Sequence, residues 1–294
     1  MAAESDPRLE GYLRYVRRDG LPRYAHPPVT HVSLGFHFQG YSLRAVDLGH
    51  VHDHFHEAYP VVEEAGPVPN QIEHFGEQQV PVVQFQFMDR PPVPMVTFLD
   101  ERRGRLVQLQ SDRFTCAWRK VPGDEHYPDY EQLRHQFVVN ALSFERYADS
   151  FGDGIPNLML VQAEITYVND IPLDGRTGWD EARVLLHSGP QTAPAPSALP
   201  APDEFKMAQA HTFKNQFGVP SARLHVAAET VWTETGPVYR LALTYRGQPG
   251  ERFPGNLDAF ETMLAFYDEG HATIVAAFSE VTSPEMHEVW GRVP

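Results

Sequence analysis

The densest group of side chains that could do chemistry is the run GHVHDHFHE, which holds four histidines and two acids in nine residues. Imidazole and carboxylate groups are common zinc ligands. The apolar residues Leu48, Val51 and Phe55 recur here at helical spacing and predict a helix. On that helix His50 and His54 lie one turn apart on the same side, so we take them as candidate metal ligands.

The helical spacing also argues against a complete metal site in this run. His52 and His56 lie on a different flank from His50 and His54, so the four side chains cannot meet at one ion. Catalytic zinc normally has three protein ligands, and the pair would need others from elsewhere in the chain. We favour a solvated, histidine-rich helix face and expect no cofactor. The alternative is a metal-dependent hydrolase or nuclease that uses this helix.

Four residues in or near predicted strands are candidate ligand-binding groups. Arg113 offers a planar fork that suits a carboxylate or phosphate, but we favour a local ion pair with Asp112 or a turn. Trp118 follows on the same predicted strand. Tyr167 and Asn169 lie near the end of a predicted central strand, where ligands often bind. A routine turn at Asn169 and Asp170 is the interpretation that we favour there.

Three other reactive side chains have plainer interpretations. His31 and His37 lie on the polar side of a predicted strand, and we expect that side to face solvent rather than to line a cavity. Cys116 is the only cysteine, which excludes an internal disulfide and a cysteine-based zinc site. Its apolar neighbours predict a buried, unreactive thiol.

Familiar local signatures of catalysis and nucleotide binding are absent from the sequence. The chain has no G-x-S-x-G elbow, no G-x-x-x-x-G-K-[ST] phosphate loop, no G-x-G-x-x-G fingerprint and no H-E-x-x-H motif. The common hydrolase, nucleotide-binding and zinc-protease routes therefore lack their signatures. We favour a protein that is not an enzyme.

The charge balance bears on the partners and the location of the protein. The net charge is −15, whereas nucleic-acid-binding proteins usually have a basic excess or stripe, so nucleic-acid binding is not expected. An acidic surface suits a basic protein partner. The first ten residues lack the apolar core of a signal peptide, and the sequence contains no apolar run of about 20 residues. We expect no membrane segment and a cytoplasmic location.

The elements that must position the candidate groups follow from the spacing of apolar residues. Strict alternation from Val32 to Phe38 predicts a strand, and another is predicted over 83–87. Apolar stripes at helical spacing predict long helices after Tyr130 and after Asn256. A helix with one apolar stripe must cover a sheet or another helix. The predicted fold is therefore α+β, with two related lobes, each an antiparallel β-meander covered by a long amphipathic helix.

The predicted domain organisation divides the chain at a Pro/Ala-rich stretch. Residues 1–24 form a polar N-terminal arm and residues 25–188 form the first lobe. Residues 189–202 form a loop or linker, and residues 203–294 form the second lobe with a C-terminal helix pair.

Three helix starts are also predicted from the sequence. Asp47 and Asn256 are the predicted N-caps of two helices, because a short polar side chain can accept a bond from a free N–H of the first turn. Ser283 precedes a proline and an acid, which is a strong start signal for a short C-terminal helix.

Five runs of the sequence carry a resemblance that spans 27–292. They are PPVTHVSLGFHF, LVQLQSDRFTCAWRKV, HYPDYEQLRHQF, ITYVNDIPL and HATIVAAFSEVTSPEMHEVWGR. In this order and spacing the chain resembles a sporadically distributed bacterial family of uncharacterised proteins, which is designated only by a family number. The resemblance implies no established activity and transfers no catalytic residues. A patchy distribution is typical of accessory genes, such as those of defence or toxin–antitoxin systems.

These observations lead to a first hypothesis about function. The protein is a non-catalytic binding or interaction protein, with a small apolar ligand or a protein partner. It could serve as an accessory subunit of a bacterial defence or toxin–antitoxin system. The metal-dependent enzyme described above is the alternative, and the sequence does not predict an oligomeric state.

Overall fold

The computed structural model describes most of the chain: residues 6–15, 20–39, 42–69, 71–76, 93–123, 127–149, 159–190, 200, 202–255 and 258–293. The predicted strand over 83–87, the predicted N-cap Asn256 and most of the Pro/Ala-rich stretch lie outside these residues. None of the described helices is long and apolar enough to span a membrane.

The described elements are numbered in chain order. The helices are α1 (Leu9–Tyr12), α2 (Ala45–Phe55), α3 (Tyr130–Asp149), α4 (Gly178–Leu185), α5 (Pro249–Arg252), α6 (Ala259–Val281) and α7 (Pro284–Val289). The strands are β1 (Arg23–Tyr24), β2 (Val29–Gln39), β3 (Val61–Ala65), β4 (Met95–Leu99), β5 (Arg105–Gln110), β6 (Arg113–Arg119), β7 (Met159–Pro172), β8 (Met207–Lys214), β9 (Pro220–Thr233), β10 (Gly236–Gly247) and β11 (Arg292–Val293).

One large antiparallel sheet organises the fold. Nine strands form it in the order β3-β4-β5-β6-β2-β7-β10-β9-β8. The short strands β1 and β11 pair with each other and tie the N-terminal segment to the C-terminus, with Tyr24 opposite Arg292. A large antiparallel sheet together with helices confirms the predicted α+β class.

The two halves of the chain repeat one order of elements within this sheet. In each half an initial strand is followed by a helix, a meander and a long helix. The initial strand pairs with the last strand of its meander, β2 with β6 and β7 with β10. The strands β2 and β7 then pair with each other, with Ser33 opposite Thr166. Two separate lobes are not confirmed, because this pairing joins both meanders into one sheet.

The long helices α3 and α6 cover one face of the sheet and enclose an aromatic core. Phe114 of β6 stacks on Phe36 of β2 and on Phe144 of α3, with ring centroids 5.3 and 4.9 Å apart. Tyr267 of α6 packs edge-on against Phe137 of α3 at 4.9 Å. Such rings bury large apolar surfaces and add favourable pair geometry. These contacts hold both helices against the same sheet face.

The starts of the helices agree with the sequence in part. Ser283 caps α7 and accepts a hydrogen bond from the Met286 N–H at 3.3 Å, as predicted. The cap of α6 is Asp258. The prediction for α2 is wrong by three residues: Arg44 is the N-cap, and Asp47 accepts its N–H at 2.8 Å from inside the first turn. An acid three residues into a helix can bond the cap residue's N–H, which makes the two patterns alike in sequence.

The N-terminal segment contributes to the core although its composition is polar. Tyr12 of α1 is buried, packs on Phe260 with ring centroids 4.6 Å apart, and donates its hydroxyl to Asp258 at 2.9 Å. Arg8 forms an ion pair with Glu145 of α3 at 2.7 Å. The segment is thereby attached to both long helices.

The sheet face opposite α3 and α6 is lined by polar side chains in ion pairs. Arg240 donates two hydrogen bonds to Asp170, at 2.7 and 2.9 Å, across β10 and β7. The segment 71–76 crosses this face, where Glu73 pairs with Arg223 and His225 of β9. This polar face keeps the two meanders joined by charge-assisted hydrogen bonds as well as by their backbones.

His37 on this polar face is buried, so the expectation that it faces solvent is wrong. Its side chain is 6% exposed, and its Nδ1 has no hydrogen-bond partner among the described residues. Burial lowers its pKa to about 4, and the nearby Arg113 guanidinium adds to the effect. His31, which is partly buried, likewise has its pKa lowered to about 4, mainly by burial. Charged neighbours and the segment 71–76 cover a strand side that alternation alone predicts to be wet.

Candidate functional site

A cavity of about 290 Å³ lies between the helix-covered sheet face, α6, the start of α3 and the N-terminal segment. Five tyrosines line it: Tyr15, Tyr24, Tyr127, Tyr130 and Tyr167. Apolar side chains supply most of the remaining wall, among them Leu243, Ile274, Val275 and Phe278. The volume equals that of about ten water molecules in the liquid. Largely apolar cavities of roughly this size with a few polar groups are the usual form of small-molecule sites.

The polar part of the cavity is a chain of three side chains from different elements. Tyr167 of β7 and His271 of α6 are joined by a hydrogen bond of 2.9 Å between the hydroxyl and Nδ1. Tyr127 lies beside Tyr167, and the two hydroxyls interact closely enough to affect each other's pKa. Tyr167 is 7% exposed, so these interactions form in a largely water-free setting, where hydrogen bonds are electrostatically stronger. The three groups present a polar end to an otherwise apolar space.

Tyr130 of α3 holds His271 from the other side. The two rings stack in parallel, with centroids 4.0 Å apart and planes 3° from each other. The Tyr130 hydroxyl donates to Asp268 at 2.8 Å, and the buried Arg134 donates to the same carboxylate at 2.8 Å. Arg134 also donates to the Tyr12 carbonyl at 2.6 Å. The imidazole is therefore fixed both by its hydrogen bond to Tyr167 and by a braced aromatic ring.

Ordinary element geometry places these groups together. Residues two apart on a strand share a face, which puts Tyr167 and Asn169 of β7 on the helix-covered side. Spacings of three and four put His271 on the apolar stripe of α6, with Tyr267 before it and Ile274 after it. The Asp129 side chain accepts a hydrogen bond from the Gln132 N–H at 2.9 Å. This bond caps the start of α3 and makes Tyr130 its first residue.

The hydroxyls at this site stay protonated at neutral pH. Burial raises the pKa of Tyr167 and of Tyr130 well above the ordinary value, and it raises the pKa of Tyr127 to about 12. The tyrosines are therefore neutral hydrogen-bonding groups. Fixed charges stand only at exposed positions of the lining, where Asp129 and Glu131 outnumber Arg23. The interior of the cavity suits a neutral molecule.

The structure brings together two of the four candidate ligand-binding residues. Tyr167 and Asn169 both line the cavity, and Asn169 donates its side-chain amide to the Leu241 carbonyl at 3.1 Å. Trp118 is buried and does not line the cavity. It packs edge-on against the lining residue Tyr127, with ring centroids 5.4 Å apart. Arg113 lies on the opposite sheet face and donates to the Pro69 carbonyl at 3.3 Å. The two candidates near the end of the predicted strand therefore line the cavity, whereas Arg113 does not.

The two candidate metal ligands of the histidine-rich helix have no group of further ligands beside them among the described residues. His50 and His54 are exposed on α2. His52 packs against Phe98 with ring centroids 4.9 Å apart, and His56 Nδ1 lies 2.9 Å from the Asp53 carbonyl oxygen. Within the described residues, no group of three or more His, Cys, Asp or Glu side chains could hold a metal ion. The metal-dependent alternative therefore gains no support from these residues.

Cys116 is buried beneath α3, away from the cavity. Its Sγ lies 3.5 Å from the Asn140 amide nitrogen, and burial raises the pKa of the thiol to about 12. A thiol with a raised pKa is a poor nucleophile because the thiolate is the reactive form.

Sequence reasoning missed His271, Tyr127 and Tyr130 as site residues. A signal for His271 exists: it occupies a position of the α6 apolar stripe where the pattern would place an aliphatic side chain. A histidine at such a position needs a polar partner inside the fold. Tyr127 precedes α3 and Tyr130 begins it, and the sequence there contains no signal that they line a cavity.

Comparisons with known proteins add little to this geometry. No family model matches the chain, and no curated protein sequence matches it. Among solved structures the chain is similar to DynU16, a protein in the dynemicin biosynthetic locus. The identity is 15%, the alignment covers 64% of this chain and 78% of that chain, and the TM-score is 0.22. At that TM-score the similarity carries no argument about fold or function.

Proposed function

We propose that the protein binds a small, neutral and largely apolar molecule in the tyrosine-lined cavity. The observation that carries this proposal is the combination of an apolar cavity of about 290 Å³ with a single polar cluster, formed by Tyr127, Tyr167 and His271. Apolar walls favour ligand burial by roughly 25 cal/mol per Å². One polar cluster sets the orientation of a ligand that has one polar end.

The character of the side chains favours binding over chemistry on the ligand. Tyr127, Tyr130 and Tyr167 remain protonated, as their raised pKa values require. His271 is held between Tyr130 and Tyr167 in a fixed orientation. Rigid aromatic walls lose little entropy on binding and suit a flat or ring-containing ligand.

We also propose a second role for the protein, as an accessory subunit of a defence or toxin–antitoxin system that binds a basic protein partner. The net charge of −15 supports it through electrostatic complementarity. A ligand site and a partner surface are compatible, since the cavity occupies only one end of the helix layer.

The test of ligand binding uses a pair of probes with one shape, 2-naphthol and 2-methylnaphthalene, added to a panel of neutral one- and two-ring molecules. Ligand-observed NMR and calorimetry measure their affinities. Val275→Trp fills the cavity from α6, and we expect it to weaken every bound probe at least tenfold. Val289→Trp makes the same change at an exposed position of α7 and serves as the matched control.

Tyr167→Phe adds a test of the polar end. Loss of one hydrogen bond of about 0.5–1.5 kcal/mol should weaken 2-naphthol roughly three- to tenfold. The affinity of 2-methylnaphthalene, which has no hydroxyl, should stay within about twofold. Failure of the whole panel to bind, or binding that Val275→Trp leaves unchanged, would refute the proposal.

A further inference from the structure

The strand β8 forms one edge of the nine-stranded sheet and is unusually open. Among the described strands only β9 pairs with it. Its five residues from Ala208 to Thr212 are all exposed. The outer side of an edge strand presents a row of backbone N–H and C=O groups that can pair with another chain.

The other edge of the sheet has the protection that β8 lacks. The strand β3 has five residues, and two of them are Glu63 and Glu64, which repel a second acidic chain. The strand β8 has eight residues, no proline, and no charged side chain between Met207 and Phe213 apart from the titratable His211. Short length and edge charges are the usual means by which proteins block edge pairing.

We propose that β8 pairs antiparallel with β8 of a second copy of this chain, so that the sheet continues across a two-fold axis. Directly opposite residues in an antiparallel pair share a face, so the two positions must have the same parity. A register that pairs seven of the eight residues of β8, from Met207 to Phe213, places Ala210 opposite its own copy. It then sets Met207 opposite Phe213, Gln209 opposite His211 and Ala208 opposite Thr212.

This register is self-complementary in chemistry. Met207 and Phe213 form two symmetric apolar pairs, and both are already partly packed on the core of their own copy. Gln209 and His211 are hydrogen-bonding partners, and they lie 3.3 Å apart within one copy. Two alanines at the centre allow close approach without like charges. Lys206, just before β8, would lie opposite Lys214, the last residue of β8, in the other copy. Lys206 pairs with Glu229 at 3.2 Å, which offsets this repulsion.

A second copy is the occupant that the self-complementary register favours, and the charges restrict where two copies can meet. The chain has a net charge of −15, so two copies repel each other except where a neutral surface meets a neutral surface. The stretch of β8 from Met207 to Phe213 is such a surface, and it lies between the basic side chains of Lys206 and Lys214. Isologous two-fold pairing is also the commonest symmetry of homo-oligomers.

Native mass spectrometry and light scattering of the full chain at 1–100 µM, concentrations on the order of those used for weak homodimers, test the proposal. The wild-type protein should show a species of twice the 33.3 kDa chain mass. Ala210→Lys places two ammonium groups opposite each other and should weaken the dimer at least tenfold. Ala227→Lys is the control: it adds the same charge on the same face at an exposed position of the neighbouring strand β9.

A cysteine variant keeps the test valid if the lysine variant folds poorly. Ala210→Cys should give a disulfide-linked dimer under mild oxidation, and Ala227→Cys should not. The native Cys116 does not compete, because it is 5% exposed. A purely monomeric wild type, a dimer that Ala210→Lys leaves intact, or equal crosslinking at both cysteine positions would overturn the proposal.

Discussion

At the scale of single residues, the site depends on buried and partly buried polar groups that satisfy one another. His271 would be costly on the apolar stripe of α6 without Tyr167 and Tyr130. Asp268, in turn, is neutralised by Arg134 at 2.8 Å. The cavity thus has polar groups whose orientations are fixed before a ligand arrives, which lowers the entropic cost of binding.

His37 gives a prediction about acid stability. Its pKa in the folded protein is lowered to about 4, whereas in the unfolded chain it is about 6.5. Between these two values the unfolded state binds more protons, so stability falls as the pH drops from about 6.5 toward 4. Among the described residues, the charged groups that act on it are Asp112, Arg113, Glu164 and Arg246.

We expect His37→Gln to remove part of this acid sensitivity. Urea unfolding at pH 7.5 and at pH 4.5 should show the wild type losing about 1–2 kcal/mol more than the variant over that interval. The stability of the variant at pH 7.5 is the reference for any change in packing. Equal losses in the two proteins would show that His37 does not carry the effect.

At the scale of elements, the close contact of α6 with the sheet depends on a glycine. A Cβ added to Gly270 would lie 2.6 Å from Ile165 Cγ2 and 2.8 Å from Tyr245 Cδ1, and both side chains are fully buried. Glycine within a helix normally costs about 0.5–1 kcal/mol relative to alanine. Its presence here is explained by the space that the strands β7 and β10 leave for the helix.

Two glycine-to-alanine substitutions separate propensity from packing. Gly270→Ala should destabilise the protein by about 1–2 kcal/mol, because overpacking outweighs the gain in helix propensity. Gly49→Ala in the exposed part of α2, where an added Cβ meets nothing within 4 Å, should stabilise it by about 0.5–1 kcal/mol. The urea midpoints of both variants measure the effects. Stabilisation by both substitutions would mean that α6 moves freely on the sheet.

At the scale of the whole molecule, the pairing of β2 with β7 joins the halves. Ten residue pairs, from Val29 opposite Asn169 to Gln39 opposite Met159, connect them. The core is also shared, because Tyr267 of α6 donates to the Gly35 carbonyl of β2 at 2.8 Å. Neither half can expose this seam to water without losing buried hydrogen bonds.

We therefore expect the chain to unfold in one cooperative transition. Scanning calorimetry should give a calorimetric enthalpy close to the van't Hoff enthalpy, and fluorescence and circular dichroism should report the same midpoint. Two separate lobes would give two transitions, and the ratio of the calorimetric to the van't Hoff enthalpy would be well above one. The measurement is made at several protein concentrations, because dimer formation through β8 would raise the midpoint with concentration.

Local features of the structure were open to prediction from the sequence because they depend on near neighbours. Alternation from Val32 to Phe38 predicts β2, the apolar stripe after Tyr130 predicts α3, and Ser283 marks the start of α7. The α+β class follows from these patterns. The prediction of the α2 N-cap was wrong because a capping acid and an acid at the third helical position cannot be told apart in a single sequence.

Features that join distant parts of the chain were decided only by the tertiary structure. Tyr167 and Asn169 are candidates from the sequence, but His271, 104 residues beyond Tyr167, reaches them only when α6 lies across β7. The pairing of β2 with β7 turned two predicted lobes into one sheet. Side chains packed on the polar sheet face bury His37, which alternation predicts to be exposed. Periodicity reports which face of an element is apolar, whereas the choice of the surface that covers that face depends on the packing of the whole chain.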